Sequence, residues 1–377
     1  GGCANPSTSS GSSVSQESGI PASQETSETQ APSQMAESAY EPSAPSSSVP
    51  ESQSKPPESG RPSVAWSSID DILAGMSLRD KICQMLVLSP ELLTGVSGAE
   101  DAVRDYIIGR IAGHCSYTVD PLGNIIVEKK GKQRPAKKLL ISAHMDEVGF
   151  IVTGVNEAGL LLFAPVGGID ARVVLGRSVL VGEEGLTGVI GTKAVHMQTA
   201  EERETAVPMD SLYIDIGAKD KEEALSHVSL GDRVSFRPLY APFGEGFLRG
   251  KALDDRIGCA IMIDMICGEL LYDTTFTFVV QEEVGLRGAR AASYTVDPEI
   301  ALVLEATTAS DLPGVDGEKK VCCLGDGPVV SFMDRSTVYD AGLYRAAFAL
   351  AAQQGIPCQT KTMIAGGNDA GAIHVSR

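Results

Sequence analysis

From about residue 102 onward, short continuous apolar runs alternate with longer stretches whose apolar residues recur at helical spacing. Segments 139–143, 276–280 and 300–304 are runs of Leu, Ile, Val, Phe and Ala with little polar interruption, the pattern of strands buried on both faces. The stretch 102–108 follows a Gly/Ser loop and has the spacing of an amphipathic helix. Segment 256–271 has helical length with only Gly258 and Gly268 as breakers, and 337–354 reads as a further helix stopped by Gly355 and Pro357. Strands and helices in alternation predict an α/β sheet flanked by helices. Residues 153–243 break the pattern. They hold short strand-like pieces at 177–181, 187–191 and 211–215 between Gly-rich turns, with helical signal only at 221–225. That predicts a small β-rich domain inserted into the α/β domain, which then comprises 91–152 and 244–377.

Composition changes the picture at the N-terminus. Residues 1–60 contain 18 Ser, no Leu, one aromatic residue (Tyr40) and one basic residue (Lys55). A segment this poor in apolar groups cannot offset its backbone entropy, so a disordered tether over 1–66 is expected. The chain opens Gly1-Gly2-Cys3 ahead of that tether, which resembles the mature end of a bacterial lipoprotein. Cys3 is then a candidate lipid anchor to a membrane surface; the other reading is an ordinary cysteine in a cropped chain. Residues 67–86 have helical spacing and a start signal at Ser77, and they resemble the opening helix of glycoside hydrolase family 3. No barrel with that family's motifs follows. A second opening begins at Glu91, so 67–90 is expected to form a helix outside the catalytic core, as in a chimera.

Charge and cysteine content exclude some chemistry. The net charge is −18, of which seven Glu and one Lys in residues 1–60 account for −6, leaving −12 in the remainder. An acidic body argues against a nucleic-acid partner. No apolar run is long enough for a membrane-spanning helix. The eight cysteines form no C-x-x-C pair, which argues against a thiolate zinc site, and most lie in apolar runs as buried thiols. Cys322 and Cys323 are adjacent and cannot face one pocket together in an extended strand.

Four acidic or imidazole-bearing clusters fall at the ends of expected strands, where open α/β sheets bind their ligands. His144 can ligate a divalent metal through one ring nitrogen while Asp146, two residues on, accepts from the other and fixes the tautomer. Asp254 and Asp255 point apart, so one can meet a metal while the other caps the helix that starts at Arg256. Glu282 and Glu283 leave an apolar strand together; one can bind metal and the other can take a proton from an activated water. Glu305 ends another apolar strand. Together these residues suit two adjacent zinc or cobalt ions.

From about Glu91 to the end the chain resembles metallopeptidase family 42, the tetrahedral-assembly aminopeptidases, also labelled glutamyl aminopeptidase or endoglucanase. The matching motifs are AHMDEVGF at 143–150, GKALDDRIGC at 250–259, QEEVGLRGA at 281–289 and AGGNDAGAIH at 365–374. The resemblance implies removal of N-terminal residues from peptides by two metal ions. It implies His144, Asp254, Glu283 and Glu305 as metal ligands, with Asp254 bridging, Glu282 as general base and Asp146 orienting His144. It further implies that the insert at 153–243 is a dimerisation domain building a homo-oligomer, and that the protein is cytoplasmic unless the N-terminal tail anchors it. Two departures stand out. Asn368 occupies a position where Thr is usual, and the family's last metal ligand, a His, would fall beyond Arg377, so the chain as given is expected to bind metal weakly and turn over poorly. His114, His196, His227 and His374 are assigned no role. The competing functional readings are a family 3 glycoside hydrolase fragment and a non-catalytic surface lipoprotein.

Overall fold

A computed structural model of the chain describes residues 95–376. The tether expected over 1–66, the helix expected over 67–90 and Cys3 lie outside those residues.

Helix α1 (Asp101–Ile111) buries Val103, Ile107 and Ile111, a single stripe at i, i+4 and i+8. Strands β1 (Ser116–Val119), β2 (Ile125–Lys129) and β3 (Leu139–His144) follow. The chain then leaves the first layer and builds β4 (Gly149–Val155), β5 (Leu161–Val166), β6 (Ser178–Val181), β7 (Leu186–Gly191), β8 (Tyr213–Asp215) and β9 (Arg233–Phe236). Two short helices, α2 (Ala200–Glu204) and α3 (Lys221–His227), lie within this stretch. The hairpin β10 (Ala241–Phe243) and β11 (Phe247–Arg249) leads back to α4 (Leu253–Cys267), β12 (Thr274–Val279), α5 (Arg287–Val296) and β13 (Ile300–Val303). The last elements are β14 (Val329–Val330), α6 (Ala341–Gln354), β15 (Gln359–Thr360) and α7 (Ala370–Ile373).

The main sheet has the order β1-β2-β12-β3-β13. Strands β12 and β13 both run parallel to β3, so their C-terminal ends emerge at one edge. Side-chain alternation divides the sheet between two cores. Ile125, Val127, Ile141, Phe276 and Phe278 face one side and pack with α1 and α4; Ile126, Leu140 and Val279 face the other and pack with α5 and α7. Helices therefore cover both faces, as the alternating pattern predicts.

The inserted strands close on themselves as a six-stranded barrel, β4-β5-β8-β7-β6-β9. It runs from Gly149 to Phe236, against the 153–243 expected. Its interior is a separate apolar cluster centred on Phe150, whose ring meets Phe163 and Phe236 edge-on at centroid distances of 4.9 and 5.3 Å.

The helices expected over 337–354 and 256–271 differ from those bounds, each for a local reason. The helix expected over 337–354 starts at Ala341 because the Asp340 carboxylate accepts from the Leu343 N–H and caps it. The helix expected over 256–271 ends at Cys267, with Gly268 as its cap. Its regular turn begins at Arg256, because Asp254 and Asp255 keep non-helical dihedrals.

Candidate metal centre

His144 is the last residue of β3 and is buried. Its Nε2 lies 3.0 Å from Oδ1 of Asp254 and 3.5 Å from Oε1 of Glu305. One ligand atom from each of these three residues falls within 4.8 Å of the others. The elements explain the convergence. Glu305 leaves the C-terminal end of β13, beside β3, and Asp254 opens α4, which packs against β3 through Cys259, Met262 and Ile263. Cys259 donates its thiol to the His144 carbonyl at 3.1 Å and so ties the helix to that strand end.

The other face of the imidazole is fixed by Asp146. Nδ1 lies 3.1 Å from the Asp146 backbone carbonyl and 3.5 Å from its carboxylate, so an Nδ1–H donates to the carbonyl, and Nε2, on the Asp254 side, is the nitrogen that a cation would take in place of a proton. The Asp146 carboxylate accepts from the Ser97 hydroxyl at 2.6 Å and from the backbone N–H groups of Glu282 and Glu283 at 2.9 and 3.1 Å. One buried carboxylate thus joins the end of β3 to the turn after β12.

That turn needs an unusual backbone. Gln281 and Leu286 both have a φ of 57°. A Cβ at Gly288 would sit 2.2 Å from the Val280 carbonyl oxygen and 2.5 Å from Oδ1 of Asn124, so only glycine lets α5 start so close to the strand it follows. The barrel borders the same turn: a Cβ on Gly167 would come within 3.3 Å of the Glu283 Cβ. Glu282 and Glu283 are half-buried, and Glu283 lies outside the three-residue cluster of His144, Asp254 and Glu305.

The electrostatics are those of crowded acids. Burial, reinforced by Asp369, Glu305 and Glu283, pushes the Glu282 carboxyl up to about 8. Burial and the charges of Asp254, Asp146 and Glu305 push Glu283 up to about 7. Glu305 rises to about 7 through burial and its neighbour Asp254. Burial and Glu305 hold Asp255 well above the carboxylate range. Burial of His144 opposes charge on its ring, yet Asp146, Asp254 and Glu305 outweigh it and lift the imidazole well above its usual value. The field that favours a proton there favours a cation equally.

The donor set fits a divalent metal. Oδ2 of Asp255, Oε2 of Glu305 and both carboxylate oxygens of Asp369 are buried without a hydrogen-bond partner among the described residues. Buried carboxylate oxygens left in that condition call for a positive charge. Lys251 and Arg256 are directed instead at Glu147. Mixed imidazole and carboxylate ligands suit zinc or cobalt.

Of the candidate residues, His144, Asp254 and Glu305 converge, and Asp146 is bonded to His144 and to the backbone N–H groups of Glu282 and Glu283, whose carboxylates lie outside that convergence. The sequence pattern assigns no role to Asp369, although the residue lies in the motif at 365–374; an acid in a Gly/Ala-rich motif followed by Ala372 and Ile373 is the available signal. Asp255 Oδ1 accepts from the Gly258 N–H at 3.0 Å and caps the regular part of α4. His114, His196, His227 and His374 are exposed and are not part of the cluster.

The sequence matches the M42 glutamyl aminopeptidase family over residues 123–377. A putative aminopeptidase of Acetivibrio thermocellus is 37% identical over 293 residues, which span 75% of this chain and 83% of that protein. Among solved structures, the TET aminopeptidase of a marine sediment archaeon of the Thaumarchaeota superposes with a TM-score of 0.73 at 34% identity, covering 80% of this chain and 85% of the other. The TET1 peptidase of Pyrococcus horikoshii, described as assembling into a tetrahedron or a large octahedral shell, superposes with a TM-score of 0.67 at 35% identity, covering 79% and 88%.

Proposed function

The chain belongs to the M42 glutamyl aminopeptidase family and is a metal-dependent aminopeptidase, and on that premise we propose that the reaction runs on the carboxylate–imidazole cluster at the end of β3. The observation that carries this reading is the meeting of His144, Asp254 and Glu305 within 4.8 Å, beside buried carboxylate oxygens that lack donors.

In this reading His144, Asp254, Glu283 and Glu305 would hold the divalent metal, zinc or cobalt, with two ions as the expected number. A bound divalent cation acidifies water and polarises the scissile carbonyl. Glu282 moves the proton: it accepts one from the attacking water and returns it to the leaving amine as the peptide bond breaks. Asp146 keeps His144 in one tautomer and, through the Glu282 and Glu283 N–H groups, holds the general base in register with the imidazole. The excess of carboxylates draws in the free ammonium of a peptide N-terminus and disfavours a substrate that lacks it.

The proposal includes a homo-oligomer formed through the barrel. Val195 and Met197 lie in the insert at 67% and 63% exposure, and Val189 is exposed on β7. Apolar side chains exposed on a small domain suit contact with another copy, and the Pyrococcus horikoshii neighbour is described as assembling into a tetrahedron or a large octahedral shell.

The test uses the full chain supplied with zinc or cobalt. It should release the N-terminal residue of an unblocked peptide and lose that activity to a chelator. Equal cleavage of the N-acetylated peptide, or cleavage untouched by chelation, would overturn the reading.

A further inference from the structure

We propose that Asp369 is a positioning residue of the metal centre, a wholly buried carboxylate whose charge strengthens the hold of His144, Asp254 and Glu305 on a divalent cation. The inference rests on reading that cluster as the metal centre.

Asp369 is 0% exposed, and neither of its carboxylate oxygens has a hydrogen-bond partner among the described residues. It stands at the N-cap of α7 but makes no side-chain cap bond, so capping does not account for it. The fold treats a structural aspartate differently. Asp334, 2% exposed, accepts from the backbone N–H groups of Ser336 and Thr337 and from the hydroxyls of Ser336 and Tyr339. A carboxylate retained without any such donor costs stability unless a positive charge compensates it.

Its position is imposed by neighbours on both sides. Ala372 and Ile373 are buried against α5 in the second core of the sheet, and the Ala370 N–H is taken by Oδ1 of Asn368. Held in this way, the Asp369 carboxylate is buried within Coulombic reach of the cluster. The charges that act on it are those of His144, Glu305 and Asp146, and its own charge is felt by Glu282. It is not among the residues whose ligand atoms converge, so it acts through the field and through the groups it faces rather than by coordination. Residues around a metal's direct ligands typically tune affinity by about ten- to a hundredfold.

The experiment compares the full wild-type chain with Asp369→Asn, Asp369→Leu and Asp334→Asn, each stripped of metal. Zinc affinity is read by competition with a chromophoric chelator, and thermal midpoints are recorded on the stripped proteins. Both Asp369 variants should fold, melt at or above the wild-type midpoint, and bind zinc at least about fivefold more weakly. Asp334→Asn should melt lower while binding zinc within that margin. A merely structural role predicts the opposite for Asp369: a lower midpoint with zinc affinity inside the fivefold margin. That result, or failure of both neutral variants to fold, would overturn the proposal. A wild-type chain that takes up no zinc would overturn the metal reading and this proposal with it, whereas normal uptake by wild type and variants alike would overturn the role of Asp369 alone.

Discussion

The Lys251 ammonium lies 2.6 and 2.7 Å from the two carboxylate oxygens of Glu147, and both side chains are largely buried. Burial pushes the Glu147 carboxyl up, but the charges of Lys251 and Arg256 and the Gly95 N–H more than offset it and hold the group below the usual carboxylate range. The pair links the loop just past Asp146 to the segment that delivers Asp254. Removing one partner strands a charge in the interior, so Lys251→Met should cost about 3–5 kcal/mol of stability, read from urea unfolding of the metal-free chain. Arg256, at 3.9 Å from Glu147, sets the lower end of that range. A loss below about 1 kcal/mol would mean that Arg256 alone compensates Glu147.

Glu282→Gln keeps the shape of the side chain and removes its basicity. Turnover should fall roughly a hundredfold or more, while zinc affinity stays within about threefold of wild type. Steady-state kinetics and a zinc titration on the same preparation check both halves. Near-normal turnover would take Glu282 out of the proton transfer.

The crowded acids should also shape stability against pH. In the folded metal-free chain the carboxyls of Glu283, Glu305 and Asp369 sit near about 7 and that of Glu282 near about 8, all above their unfolded values. The folded state therefore keeps protons that the unfolded chain has released. Their contribution is greatest below the unfolded carboxyl range and is lost as pH rises through the folded values. The thermal midpoint of the metal-free protein should fall between about pH 5.5 and about pH 8.5, and zinc should flatten that slope. A midpoint that rises over this interval would contradict the burial of these groups as acids.

The barrel has its own core, which separates its stability from the chemistry of the sheet. Phe150→Ala removes a fully buried ring that touches Phe163 and Phe236 and should cost about 3–5 kcal/mol. Zinc affinity of the folded fraction should remain that of wild type. A parallel loss of zinc affinity would show that the barrel lip at Gly167 governs the turn holding Glu283.

Much of this architecture is legible in the amino-acid sequence. The runs at 139–143, 276–280 and 300–304 have the length and composition of doubly covered strands, and an acid directly after such a run is anomalous enough to mark a site. What stayed hidden is set by pairing across long stretches of chain. Glu147 and Lys251 are 104 residues apart, and no local pattern joins them. Asp369 looks like a turn residue among Gly and Asn until Ile373 packs beneath α5 and carries it inward. Closure of the barrel is equally non-local: β4 and β9, its first and last strands, pair through Phe150 with Val234 and Ile151 with Arg233. The start of α6 at Ala341 turned on the choice of Asp340 as cap within a continuous run of helix-compatible residues.

The parallel pairing of β3 with β12 and β13 also bears on the order of events during folding. His144 and Asp254 are 110 residues apart, and Glu305 arrives on a strand that docks against β3 only after the whole insert and α5 have been threaded. Contacts of such sequence separation form late and slowly, because loop closure must precede them. The centre therefore does not exist in a partly folded chain, and a cation has no assembled ligand set to seed. Zinc added to a refolding mixture should leave the folding rate largely unchanged and act chiefly by slowing the escape of the finished protein.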